Sequence, residues 1–136
     1  MDYADLREGI RLELCTIPAI QDTSSPPEGK VFREWTADAD TPIPFLEFAL
    51  TGELPSPNKC ALHMQLEVLC FDNPDTSLDQ LADDVVSLLH HQPITTPAGR
   101  ITKLDYIRDS RMDIYSDTLK AWGIRLKFLI PTDFWT

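Results

Sequence analysis

The segment Cys60–Phe71 (CALHMQLEVLCF) alternates with a period of two. Cys60, Leu62, Met64, Leu66, Val68 and Cys70 share one side of an extended chain, and Ala61, His63, Gln65 and Glu67 share the other. One face is core and the other mostly wet, the pattern of an antiparallel strand in a sheet covered on one side. Thr118–Ile130 repeats the device. There Trp122, Ile124, Leu126, Phe128 and Ile130 alternate with Ala121, Gly123, Arg125, Lys127 and Leu129, which predicts a closing strand facing the same core.

Two segments switch to helical spacing. From Asp2 to about Leu14, the apolar residues Tyr3, Leu6, Ile10 and Leu14 recur at intervals of three and four, with Asp2 and Asp5 near the positive end of the helix dipole. The second helix runs roughly over Ser77–His91. Ser77 and Gln80 form a capping-box pattern ahead of Leu78, Leu81, Ala82, Val85, Leu88 and Leu89, which fall on one face.

Between these lie shorter elements. Val31–Thr36 and Phe45–Leu50 read as short strands, separated by the polar, proline-bearing ADADTPIP, and Arg100–Arg108 reads as another strand with β-branched and aromatic residues. Gln21–Lys30 reads as a loop, Thr51–Asn58 (TGELPSPN) as a turn, and Asp109–Asp117 as a mobile charged turn. Runs of strands around single helices predict an α+β fold: a mostly antiparallel sheet with two main helices on one face. A length of 136 residues suits one domain, 1–136.

Charge narrows the function. A formal net charge of −10 leaves no positive field to gather phosphates, so specific nucleic-acid binding is not expected. The charge is uneven as well: residues 1–99 carry 17 acidic and 5 basic side chains, residues 100–136 carry 5 and 7. Such polarity favours head-to-tail contacts between copies. Cys15, Cys60 and Cys70 lack the density of a disulfide scaffold, and no apolar stretch reaches the roughly 18 residues of a membrane span.

No pattern signals catalysis or a cofactor. There is no G-x-S-x-G, no phosphate loop and no dinucleotide fingerprint, and the chain has only five glycines. Cys60 and His63 have a zinc-like separation but fall on opposite sides of a strand. His90 and His91 sit at a helix end, where partly charged imidazole suits the dipole. The carboxylates at Asp72 and Asp75, at Asp79, Asp83 and Asp84, and at Asp109, Asp113 and Asp117 match no calcium loop and read as solvated faces. No catalytic residue, cofactor or metal is expected.

The order of elements resembles that of the tail-terminator, or tail-completion, proteins of long-tailed phages and prophages. The helix LREGIRLEL, the strands FLEFAL and ALHMQLEVLCF, the helix LDQLADDVVSLLHH, the segment RITKLDYIRDSRMDIYSD and the closing AWGIRLKFLI carry the likeness over about Leu6 to Ile130. One departure is the pair Pro44–Phe45, where relatives usually place a proline and a tyrosine-like strand. The resemblance implies a ring, commonly of six subunits, that ends the tail tube and meets the head connector. It also implies a place in the virion tail, after assembly in the host cytoplasm, with the tube protein, the connector and further copies as partners. A neck or head-completion adaptor is the alternative; a small ligand-binding domain or enzyme ranks below it. Under the ring reading, subunit contacts fall on Arg125 and Lys127 against acids at Asp72, Asp75 or Asp79. The loops Gln21–Lys30 and Asp109–Asp117, with Asp109, Arg111, Asp113 and Asp117, then face the lumen or a docking surface.

Overall fold

The computed structural model describes residues 2–21, 30–33, 37, 40–55 and 62–131, with the backbone alone at 52–55 and 62–63. Helix α1 (Tyr3–Leu14) is followed by strands β1 (Val31–Arg33), β2 (Phe45–Pro55) and β3 (Leu62–Phe71), and then by helix α2 (Thr76–Leu89). The short strands β4 (Ile94–Thr95), β5 (Ile101–Thr102) and β6 (Asp105–Tyr106) lead through a 3-10 turn, Arg108–Ser110, to β7 (Met112–Ser116) and β8 (Ala121–Pro131). The main sheet runs β1-β2-β3-β8-β6, with β7 also on β8; β1 lies parallel to β2 and every other pairing is antiparallel. The fold is α+β, as the periodicities predict.

Both helices cover one face of the sheet. Leu6, Ile10 and Leu14 of α1 and Leu78, Leu81, Ala82, Val85 and Leu89 of α2 pack with Leu46, Phe48, Met64, Leu66, Val68, Cys70, Ile124, Leu126, Phe128 and Ile130. On the opposite face a smaller cluster gathers around Phe45 and Phe71, whose rings stack with centroids 4.9 Å apart, and Leu119. Where the β3–β8 ladder ends, the two strands approach closely. A Cβ on Gly123 would stand 2.7 Å from the carbonyl oxygen of Cys70 and 2.9 Å from the Phe71 ring, so only glycine fits there.

Several boundaries differ from the sequence reading, each for a local reason. Thr51–Pro55 continues β2 instead of turning, because a register shift between Thr51 and Glu53 absorbs the irregularity at Gly52 while β3 keeps supplying a ladder. Pro55 is tolerated at the strand's end, on a stretch that β1 does not reach. Residues 56–58 of the expected turn, and Glu34, Trp35 and Thr36 of the expected strand, lie outside the described residues. So do residues 22–29 of the Gln21–Lys30 loop, and Cys60 and Ala61 of the long strand. Helix α2 is capped by Asp75 and not by Ser77: the Asp75 carboxylate accepts from the Ser77 N–H at 2.7 Å.

Arg100–Arg108 is not one strand. Leu104 is fully buried between β5 and β6, and its carbonyl accepts from the His91 N–H, so the chain leaves β4 and joins β8. Asp109–Asp117 is largely ordered as the 3-10 turn and β7. The alternating Met-Asp-Ile-Tyr-Ser finds an open edge on β8, and the closing strand starts at Ala121, since Asp117–Lys120 form the hairpin turn with Lys120 at φ 52°.

Candidate functional site

Where α2 begins, its first turn faces the β7–β8 hairpin across a groove of about 500 Å³ lined by Pro74, Asp75, Leu78, Asp79, Asp113, Trp122, Gly123 and Ile124. Leu78 and Ile124 make an apolar floor, and the carboxylates of Asp75, Asp79 and Asp113 stand around it. Trp122 forms one wall. Alternation placed it in the core with Ile124 and Ile130, yet it is 50% exposed, because its end of β8 runs past the cover that the helices give the rest of the strand. Tyr115, also 50% exposed, packs on it with centroids 5.0 Å apart, whereas Met112 falls on the other face of β7, opposite Arg125.

Arg111 borders the same region. Its guanidinium donates to Asp83 at 2.9 Å and to Asp79 at 3.1 Å, tying the start of β7 to the solvent side of α2. Partial burial works against the charged form, and the hydrogen bonds and charges of Asp83 and Asp79 outweigh it, so the group stays charged above its ordinary range. Asp113 takes no hydrogen bond or ion pair among the described residues, which leaves its charge free to face the groove.

The residues singled out from sequence therefore separate into groups. Asp75, Asp79 and Asp113 come together at the groove, with Arg111 beside them. Asp72 lies just before α2, its carboxylate accepting from the Asn73 N–H at 2.8 Å. Asp109 is exposed in the 3-10 turn and Asp117 in the hairpin turn. Arg125 and Lys127 are not near these acids: they point to the sheet face away from the helices, Lys127 opposite Glu67 and Arg125 opposite Leu69 on β3. The Arg125 Nε is buried without a hydrogen-bond partner among the described residues. Trp122 was missed as a surface residue, since an exposed strand end keeps the period of a buried one, and Tyr115, inside the segment read as an exposed turn, was not seen as its partner.

His90 and His91 do more than meet a helix dipole. The Nδ1 of His90 accepts from the Tyr106 N–H at 3.0 Å, and His91, at φ 59°, pairs through Nε2 with Asp105 while its ring stacks on His90. These three side chains form the one cluster of possible metal ligands among the described residues. An imidazole whose Nδ1 accepts a backbone N–H carries its proton on Nε2, so neither nitrogen of His90 is free for a metal in this arrangement. The cluster acts as a staple between the end of α2 and β6. Cys70 offers no nucleophile either: burial raises its thiol pKa against a weaker pull from Arg111, and it stays protonated.

No helix among the described residues is long and apolar enough to cross a membrane. No protein-family model matches the sequence, and no curated protein does. Among solved structures, the chain is similar to one in the virion of a native gene transfer agent particle, at a TM-score of 0.53 and 13% identity, over 75% of this chain and 77% of that one. At that identity the likeness establishes a shared fold, one on which a virion component is built.

Proposed function

We propose that this chain is a structural protein of a phage or prophage particle, and that it forms a ring ending the tail tube and meeting the head connector. The observation that carries the reading is the fold shared with a chain of a gene transfer agent virion. The two sides of the sheet differ: α2 brings Asp75 and Asp79 to one, and the other carries Arg125 and Lys127 together with Glu67. A head-to-tail interface between unlike faces makes a ring when its rotation closes. A ring with two different faces blocks further tube growth. An acidic lumen repels the phosphate backbone, so DNA passes without sticking.

Light scattering coupled to size exclusion tests the reading across protein concentration and at two salt levels. A discrete mass of several subunits supports it, and so does a monomer that caps isolated tail tubes in electron micrographs. A monomer that ignores tubes removes the support.

A further inference from the structure

The groove at the start of α2 has a counterpart at the other end of the same helix. There β4 and β5 form a small hairpin whose base is fixed to the helix end by the pairing of His90 with Leu104. Its loop is held firmly. The Thr96 N–H donates to the Arg100 carbonyl at 2.8 Å, the Gly99 N–H donates to the Thr96 carbonyl at 2.8 Å, and the Ala98 N–H donates to the Asp5 carboxylate on α1 at 2.9 Å. Thr96 rests against Gly9 of α1, where a Cβ would come within 3.0 Å of its methyl group.

On this rigid support, alternation turns Thr102 and Leu104 inward and Ile101 and Lys103 outward. Ile101 is 62% exposed, more than any other large hydrophobic residue described, and it has an exposed cation at Lys103 on its outward side. The groove offers the converse: the exposed Trp122 over a floor of buried Leu78 and Ile124, with Asp75, Asp79 and Asp113 around it. Helix α2 has 14 residues, so about 21 Å separates its ends.

We infer that the β4–β5 hairpin of one copy docks into the groove of the next, Ile101 against Trp122 and Leu78, and Lys103 beside Asp113 and Asp75. The inference rests on the ring reading above and replaces Arg125 and Lys127 with the hairpin as the partner of the acidic side. The sheet-face cations suit that role less well, since they are only partly exposed and the Arg125 Nε is buried. Two different patches at opposite ends of one helix suit a contact that repeats head to tail.

A charge swap in the full chain tests the contact. Lys103→Glu is expected to weaken assembly about tenfold in concentration, and adding Asp113→Lys to restore it, while Lys127→Glu leaves it unchanged. An assembly that ignores Lys103→Glu but is lost with Lys127→Glu overturns the hairpin contact and leaves the ring standing. If the wild type stays monomeric in dilute solution, the indole N–H resonance of Trp122 is followed up to millimolar concentration. A concentration-dependent shift that Lys103→Glu abolishes supports the contact, and no shift overturns it; the ring itself is judged separately, by tube capping.

Discussion

Arg111 donates through Nη1 to Oδ1 of Asp83 at 2.9 Å, joining the start of β7 to the solvent side of α2. A second bond from the same guanidinium reaches Asp79, so one cation holds two turns of the helix against the hairpin that walls the groove. Because the acids are well exposed, water screens much of this attraction. Arg111→Ala is expected to cost about 1 kcal/mol in urea unfolding, and Asp83→Asn to cost almost nothing further in that background. Additive losses from the two changes would show that the pair is not coupled.

Gly123 sets a harder limit. A methyl group there must displace both the Cys70 carbonyl and the Phe71 ring, which stand at the last pairs of the β3–β8 ladder. Gly123→Ala should destabilise the fold by about 1–3 kcal/mol, as overpacking does, with a lowered denaturant midpoint at unchanged slope. An unaltered midpoint would mean that the strands part at little cost.

The difference between these two sites shows what the sequence made legible. Period two in Met64–Cys70 and Ile124–Ile130, and helical spacing in Leu78–Leu89, record burial directly, so the α+β class and the helix-covered face were readable. Arg111 was readable as a charge but not as a strap, because its partners lie 28 and 32 residues away. The groove was hidden for a related reason. Trp122 keeps the phase of the core strand and becomes surface only because the helices stop short of it, which is a property of tertiary arrangement. Likewise Ser77 and Gln80 fit a capping box, yet Asp75 takes the cap because the chain enters the helix two residues earlier.

Helix α1 carries a pH dependence with a definite sign. The hydrogen bond from Arg11 holds the Glu8 carboxyl below the ordinary glutamate value of 4.5. Its contribution to stability is therefore complete above that value and is lost as pH falls through the lower folded one. The pair is partly exposed and spaced i,i+3, so the expected effect is a few tenths of a kcal/mol. Comparing Glu8→Gln with the parent chain at pH 7 and pH 3 checks it: the gap in unfolding free energy should close at the lower pH, and a constant gap would assign the effect to packing.

The two histidines at the end of α2 make opposite predictions under a structural and a metal-binding role. As a staple, His90 satisfies the Tyr106 N–H, and His90→Ala leaves that donor without its partner at a cost of about 1–3 kcal/mol. Stoichiometric zinc should then leave the melting temperature of the parent chain unchanged, because the proton on Nε2 and the hydrogen bond at Nδ1 occupy both nitrogens of His90. A ligand that binds only the folded state must raise the melting temperature, by an amount that grows with the logarithm of its affinity. A zinc-dependent rise that disappears in both His90→Ala and His91→Ala would therefore mean that His90 gives up Tyr106 and that the cluster with Asp105 takes the metal, and thermal scans with and without zinc distinguish the two outcomes.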